Sequence, residues 1–209
     1  MPIVPPDRID EIVRALRAGQ IASIPTDTVY GIAASIDHPM AMRRLPELKG
    51  RDTDQPIALL IDSVEAVAAH LDDPTALDRV LRFWPGALTA IVRVRGDSPL
   101  KTPVVTVSGE GSKTLGLRQP DAEVARSVIR SCGGALAVTS ANRHGEPPAT
   151  SAAEVAAAFG AAMPVLDGGP RTGGVASTVV DLSVEPPRLL REGPVSAEEL
   201  GLAVGRGEW

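Results

Sequence analysis

Hydrophobic residues recur along this chain at two different periods, and together they predict a mixture of helices and strands. Residues 7–18 place apolar side chains three and four positions apart, which is typical of one buried face of a helix. Asp7 and Gly19 are residue types that begin and end helices. The short runs QIASI (20–24) and IALLI (57–61) instead predict strands.

Six further segments have helical features. The predicted helices cover 40–48, 62–71, 75–82, 122–131 and 155–159, and a short one starts at Ala197. Asp62 and Glu65 have the spacing of a capping box at the second of these helices. Ser151 and Glu154 repeat that spacing before the fifth helix, and Asp121 is placed to cap the fourth.

A proline lies inside the segment 40–48. Pro46 costs about 3 kcal/mol in a helix interior, because proline lacks an amide N–H and its ring clashes with the preceding turn. We therefore expect this helix to be kinked, late-starting or short.

Seven more runs predict strands, and several follow one another without a helix between them. They cover 88–94, 104–107, 114–118, 135–140, 164–166, 177–182 and 188–191. Strands mixed with helices indicate the α/β class, with helices packed on a sheet. Strands joined without a crossover helix favour a mixed sheet over a wholly parallel one. The sequence has no internal repeat or long linker, and we expect one domain over residues 1–209.

The composition narrows the classes of function. Only 2% of the 209 residues are aromatic, which disfavours the stacking platforms of single-stranded nucleic-acid binders. The net charge of −5 disfavours non-specific binding to nucleic acid. One cysteine, Cys132, excludes an internal disulfide framework and a cysteine-rich zinc site. The sequence shows neither a signal peptide nor an apolar run of membrane-spanning length, so we expect a cytoplasmic protein without membrane contact.

Two polar motifs have both a purely structural and a functional interpretation. Lys49 and Arg51 follow the helix at 40–48 and are either a solvated helix end, where the macrodipole favours cations, or a phosphate clamp. Ser140 and Asn142 stand two residues apart after a strand and face the same way. They either form a turn or face a site.

Polar residues also stand at the ends of other strands. The segment SIPTDTVYGIAA (23–34) carries two threonines, an aspartate and a tyrosine. It is either a turn that happens to carry polar side chains or one wall of a site. Ser177 begins one strand and Arg191 ends the next. No nucleophilic triad, carboxylate pair or metal cage emerges from the sequence. Hydroxyls, amides and cations at strand ends suit a reaction that needs positioning and charge neutralisation, such as phosphoryl or nucleotidyl transfer.

Eight motifs together resemble one known family. In chain order they are IPTDTVYGIA, LKGR, WPGALTAIV, LGLRQPD, TSANRHGEPPAT, VLDGG, ASTVVDL and LLREG. The order is that of the YrdC-like family, the L-threonylcarbamoyladenylate synthases of tRNA t6A biosynthesis, and the resemblance runs over about residues 12–194. It implies a single YrdC-like domain, a twisted open mixed sheet with flanking helices around a large concave, positively lined cavity. With a short tail at 195–209, the chain resembles the short form of the family, without an extra carboxy-terminal domain.

The resemblance also implies a reaction and a set of site residues. L-Threonine, bicarbonate (or CO2) and ATP with Mg²⁺ would give L-threonylcarbamoyl-AMP and diphosphate, and a transferase complex would use the product. The implied catalytic residues are Lys49 and Arg51. The implied contacts to the phosphates and the adenylate are Lys49, Arg51, Ser140 and Asn142. Thr114 and Arg191 are implied on the nucleotide side. The implied threonine contacts are Thr26, Arg118 and Ser177, with Arg118 on the threonine carboxylate.

The chain departs from the family pattern at three positions. Pro46 interrupts a helix, Leu60 stands where many members carry histidine, and Thr139 stands where many carry proline. The hydrogenase-maturation carbamoyltransferases share a related domain but are larger and carry zinc-binding cysteines.

Two alternative functions stay open. One alternative is a non-catalytic protein that contacts tRNA or other double-stranded RNA by shape. The other is a paralogue that acts on a different carbamoyl or carboxylate substrate.

Overall fold

Short apolar strands are mixed with amphipathic helices along the chain, broadly as the hydrophobic pattern predicts. The computed structural model describes residues 3–50, 56–100, 103–107, 111–172 and 174–202. Within these residues the strands are β1 (Ile3–Val4), β2 (Ala22–Pro25), β3 (Tyr30–Ser35), β4 (Ala58–Ile61), β5 (Leu88–Arg93), β6 (Thr106–Val107), β7 (Lys113–Arg118), β8 (Ala135–Ser140), β9 (Val165–Leu166), β10 (Thr178–Asp181) and β11 (Arg188–Arg191). The α-helices are α1 (Ile9–Arg17), α2 (Pro39–Lys49), α3 (Glu123–Ser131) and α4 (Ala152–Phe159). Short 3-10 helices cover Pro6–Arg8, Ala68–His70, Pro74–Arg79, Leu81–Phe83 and Gly160–Ala162.

The strands form one mixed sheet, which confirms the predicted fold class. Its order is β1-β9-β2-β3-β8-β4-β7-β5-β10-β11, and β6 pairs with β7 beside this path. The pairs β1–β9, β2–β9, β4–β7 and β5–β10 are parallel, whereas the other pairs are antiparallel. The sheet stays open, with β1 and β11 at its two edges.

The two faces of the sheet are covered differently. Because successive side chains of a strand point to opposite faces, Leu59 and Leu117 enter the larger apolar cluster, on the side of α2 and α4. On the other face, Ile12 of α1 and Ile129 of α3 pack over the half formed by β2, β3 and β8. The half of that face formed by β4, β7, β5 and β10 is the floor of a cavity.

Two predicted helices are wrong in type. The segments at 62–71 and 75–82 form turns and 3-10 helices, and Asp62 does not cap a helix. The carboxylate of Asp62 instead accepts two hydrogen bonds from Arg130, at 2.8 and 2.9 Å. Asp73 caps the 3-10 helix at Pro74–Arg79 through the backbone N–H of Thr75. With the capping carboxylate of Asp62 engaged elsewhere, the first segment lacks the start signal on which the prediction rested.

Other helix boundaries also differ from the prediction. Helix α2 runs without a break through Pro46 to Lys49, so a late start or early end is wrong. Asp7 and Asp121 provide no side-chain cap for α1 or α3. Residues 197–201 form hydrogen-bonded turns instead of the helix predicted from Ala197.

Several boundary predictions are confirmed. The Ser151 hydroxyl accepts the N–H of Glu154 at 3.2 Å, which begins α4. Gly19, with a φ of 74°, follows the end of α1. Strands β1 and β3 are absent from the sequence-based prediction, although all six residues of β3 are buried. Across the described ranges, no helix is both long and apolar enough to cross a membrane.

Candidate functional site

The cavity on the open half of the sheet brings most of the predicted site residues together. Its volume is about 460 Å³. Six predicted site residues line it: Thr26, Thr114, Arg118, Ser140, Ser177 and Arg191. Lys49 and Asn142 lie next to Ser140 but are not among the lining residues. Arg51 lies outside the described residues.

The strand register arranges the cavity floor in rows. Val179 of β10 pairs with Thr89 of β5 and also with Arg191 of β11. On β7, Arg118 pairs with Leu60 of β4, and the β5–β7 ladder places it opposite Thr89, so two cations and a hydroxyl share this row with two apolar side chains. The polar row at the far side includes Ser140, which pairs with Gly31. The cavity therefore has a first polar wall, formed by Arg118, Thr89, Ser177 and Arg191, and a second polar wall, formed by Ser140 with Lys49 and Asn142 next to it.

Arg118 is the best-positioned cation of the first wall. Its Nε donates to the backbone oxygen of Gly86 at 3.0 Å, Nη1 to the Thr28 hydroxyl at 3.0 Å, and Nη2 to Asp27 Oδ1 at 2.6 Å. Burial lowers the pKa of Arg118, and the Asp27 carboxylate opposes that shift. A guanidinium has five N–H groups and stays charged, so two remain for an anionic ligand.

The segment 26–29 is a turn that is tied to Arg118. The Thr26 hydroxyl donates to the backbone oxygen of Val29 at 2.7 Å and lies 3.1 Å from the Thr28 hydroxyl. Since Thr26 uses its proton on Val29, Thr28 is the donor of that second bond. Arg118, Thr28 and Thr26 thus form one hydrogen-bonded chain, and Asp27 holds Arg118 from the side. The turn at 26–29 is therefore itself a part of the site, because it holds Arg118 in place.

Tyr30 forms part of the cavity wall, as its position in SIPTDTVYGIAA suggested. Its hydroxyl donates to the Gly169 oxygen at 2.9 Å and accepts the Gly168 N–H at 3.0 Å. Burial raises the pKa of Tyr30, so the phenol is neutral at physiological pH. Arg171 adds contacts to the backbone oxygens of Thr26, at 3.4 Å, and Gly168. No motif in the sequence pointed to Arg171, because its role depends on contacts distant along the chain.

A second guanidinium lies close to the first. The Arg191 side chain donates to the Ser177 backbone oxygen at 3.0 and 2.8 Å and to the Ser177 hydroxyl at 3.3 Å. Desolvation, and next the positive charge of Arg118, lower the pKa of Arg191. Salt bridges among the described residues involve Arg118 but not Arg191. Two cations that repel one another at a cavity wall favour the binding of an anion between them.

Lys49 holds the polar groups of the second polar wall in place through hydrogen bonds. The side chain, at the end of α2, is 2% exposed. Its Nζ donates to the backbone oxygen and the hydroxyl of Ser140, at 2.7 and 2.9 Å, and to Asn142 Oδ1 at 2.8 Å. Ser140 carries this arrangement to the cavity surface, where it is a lining residue. Lys49 therefore places a buried positive charge behind the hydroxyl that faces the cavity.

The described residues include no cluster of three histidine, cysteine or acidic side chains that would hold a metal ion. One carboxylate, Asp181, does line the cavity, and its Oδ1 accepts hydrogen bonds from the backbone and hydroxyl of Ser183, at 2.8 and 2.6 Å. The polar groups of the cavity are thus mainly cations and hydroxyls. They are suited to holding anionic and hydroxylated ligands in place.

Comparison with known proteins identifies relatives over almost the whole chain. The family model for Sua5, YciO and YrdC proteins, described as "Telomere recombination", matches residues 14–193. A putative threonylcarbamoyl-AMP synthase of Mycobacterium tuberculosis is 37% identical over 198 residues, which cover 92% of this chain and 87% of that protein. The threonylcarbamoyl-AMP synthase of Bacillus subtilis is 35% identical over 205 residues, which cover 95% of this chain.

A solved structure shows the same fold. The crystal structure of Pyrococcus abyssi Sua5 complexed with L-threonine superposes with a TM-score of 0.86 at 32% identity and covers 96% of this chain. The match covers 60% of the Pyrococcus protein, and the match to the Bacillus protein covers 57% of that sequence. The chain thus spans little more than half the length of these two relatives.

Proposed function

The chain belongs to the Sua5, YciO and YrdC family, and from this premise we propose that it is a threonylcarbamoyl-AMP synthase. L-Threonine, bicarbonate or CO2, and ATP are the substrates, and L-threonylcarbamoyl-AMP and diphosphate are the products. The observation that carries the proposal is the cavity with two separate polar walls, Arg118 with Arg191 on one and Ser140 with Lys49 behind it on the other. One wall suits an amino-acid carboxylate, and the other suits phosphate.

The free amine of threonine and bicarbonate first give N-carboxythreonine and water, or with CO2 the carbamate and a proton that passes to solvent. The adenylation step that follows needs no general base from the protein. In the N-carboxy form of threonine, a carbamate oxygen is already an anionic nucleophile. It forms a bond to the α-phosphorus of ATP, and the bond from that phosphorus to the bridging oxygen breaks, so diphosphate leaves with its charge. Lys49 and Arg51 are the proposed neutralising cations at this step. Mg²⁺ enters as part of the MgATP substrate and shares the charge of the leaving diphosphate.

The remaining contacts divide between the two substrates. Arg118 binds the threonine carboxylate in this proposal. The other threonine contacts are Thr26, which is linked to Arg118 through Thr28, and Ser177, which is hydrogen-bonded to Thr89. Thr114, Ser140 and Asn142 are the proposed contacts at the nucleotide end, and Arg191, on the first polar wall beside Ser177, is the proposed cation that reaches the nucleotide from the threonine side. The product is the activated intermediate of tRNA t6A formation, and a threonylcarbamoyl transferase complex in the cytoplasm would consume it.

The proposed activity is tested by measuring diphosphate release with ATP, threonine and bicarbonate, each omitted in turn. We expect release only when all three are present. Release that does not depend on threonine would favour a paralogue with another substrate. Tight binding of double-stranded RNA without any release would favour the non-catalytic alternative.

Replacing Thr26 with alanine should raise the threonine concentration needed for half-maximal rate about tenfold, which corresponds to about 1.4 kcal/mol. The hydroxyl fixes the turn at 26–29 and, through Thr28, the position of Arg118. Thr26→Ser keeps the oxygen and is the matched control, with an expected value near that of the wild type. The measurement is the initial rate against threonine concentration at saturating ATP. Equal defects in both variants would show that the methyl group, not the hydroxyl, matters.

A further inference from the structure

A pair of buried hydroxyls belongs to the first polar wall, beside Arg118. Thr89 Oγ1 and Ser177 Oγ are 2.8 Å apart, and both residues are buried and line the cavity. The Arg191 guanidinium donates to Ser177 Oγ at 3.3 Å. The resemblance to known synthases assigned Ser177 to threonine and left Thr89 without a role.

The hydrogen-bonding capacity of the pair identifies the kind of group that it complements. Two hydroxyls offer two protons and four lone pairs. Their mutual bond uses one proton and one lone pair, and Arg191 occupies a second lone pair. One donor and two acceptor positions remain, whichever hydroxyl donates to the other. A ligand hydroxyl can use the free donor and a free acceptor position at once, whereas a carboxylate can use only the donor and an ammonium only the acceptors.

The position of Thr89 relative to Arg118 fits a hydroxylated amino acid. The β5–β7 ladder pairs Ala90 with Leu117, so Thr89 and Arg118 are opposite one another one step further along. Side chains that are directly opposed in such a ladder have their Cβ atoms about 5 Å apart. A ligand carboxylate on Arg118 therefore places the rest of a small amino acid within reach of the hydroxyl pair.

Gly116 fixes the orientation of Thr89. A Cβ atom at Gly116 would lie 3.4 Å from Cγ2 of Thr89, so the threonine methyl group lies over the glycine. With the methyl group there, Oγ1 is directed to Ser177. A β-branched side chain has few rotamers, and the two contacts leave Thr89 in one of them.

We propose that Thr89, together with Ser177, binds the side-chain hydroxyl of the amino-acid substrate and selects threonine over amino acids of similar size that lack it. This inference rests on the proposed function, which supplies L-threonine as the substrate. An analogue without the hydroxyl leaves the buried pair with unmatched hydrogen-bonding groups, which costs binding free energy.

The test compares L-threonine with L-2-aminobutyrate, which is threonine without the hydroxyl. Binding of each to the wild type, Thr89→Val and Thr89→Ser is measured by isothermal titration calorimetry. We expect Thr89→Val to weaken threonine binding about tenfold and to change the affinity for aminobutyrate by less than about twofold. Thr89→Ser keeps the hydroxyl and should retain the preference for threonine. Ser177→Ala removes the other half of the pair and should reduce the same preference.

The possible outcomes separate the inference from the proposed function. Equal losses for both ligands in Thr89→Val would mean that Thr89 only supports the fold, and unchanged threonine binding would also overturn the inference. A wild type that binds threonine selectively but releases no diphosphate would overturn the proposed function alone. A wild type that binds no threonine would overturn both. If Thr89→Val fails to fold, as judged by circular dichroism, the Ser177→Ala comparison decides.

Discussion

Replacing Lys49 with methionine should lower the maximal rate of diphosphate release about 100-fold and leave threonine affinity within about twofold of the wild type. The proposed reaction increases negative charge on the phosphoryl oxygens and on the leaving diphosphate. Lys49 places its ammonium behind Ser140 and Asn142, at 2.9 Å from the hydroxyl of one and 2.8 Å from the amide oxygen of the other. Methionine retains most of the side-chain volume and removes the charge.

The expected separation of rate from affinity follows from the layout of the cavity. Lys49 contacts residues of the second polar wall, whereas Arg118 and Ser177 belong to the first. A buried charge that acts mainly on the transition state changes the maximal rate more than it changes ground-state binding. The measurements are steady-state diphosphate release and calorimetric binding of threonine to the same preparation.

Lys113→Met is the matched control for Lys49→Met. Lys113 precedes the cavity-lining Thr114 on β7, but its own Nζ donates to the Gly96 oxygen outside the cavity. We expect this variant to retain at least about half of the wild-type rate, because exposed polar contacts contribute little. An unchanged maximal rate in Lys49→Met would remove Lys49 from the proposed chemistry. A parallel loss of rate and of threonine binding would show that it supports the whole site.

The sequence predicted the sheet well because strand residues on both faces are apolar over short runs. The runs at 57–61 and 135–140 became β4 and β8, at the centre of the sheet. The helices at 62–71 and 75–82 failed for a different reason. Their apolar spacing is close to helical, but the distant residue Arg130 engages Asp62, and Asp73 begins a 3-10 helix there. Such tertiary contacts override a local pattern of one or two turns.

The site was predictable where a motif places a polar side chain at a strand end. Thr26, Ser140 and Ser177 follow that pattern, and all three line the cavity. Thr89 was not predictable, because it lies inside the apolar run 88–94 and its significance depends on pairing with residues of β7 and β10. Lys49 was assigned to the site by the family resemblance, since its motif alone also fits a solvated helix end, and its position behind Ser140 emerges only from the packing of α2 on the sheet.

Replacing Arg118 with lysine should weaken threonine binding about 30- to 100-fold, or about 2–3 kcal/mol. The guanidinium is held at three points, by Gly86, Thr28 and Asp27, and two N–H groups stay available for a carboxylate. Lysine keeps the positive charge beside Asp27, so the loop is not left with an unpaired, partly buried carboxylate. It cannot form the planar fork and the loop contacts at the same time.

The chain offers a second Arg–Asp pair as the control for this substitution. Arg130 donates two hydrogen bonds to Asp62, but its side chain is 57% exposed, compared with 7% for Arg118. Arg130→Lys should leave threonine affinity unchanged, because an exposed ion pair contributes little to stability and this one lies away from the cavity. Threonine affinity is measured by calorimetry without ATP, and ATP affinity is measured separately. If Arg118→Lys binds threonine as tightly as the wild type, the carboxylate does not bind at Arg118. If it loses threonine and ATP binding to the same extent, Arg118 supports the fold of the cavity and does not act on threonine alone.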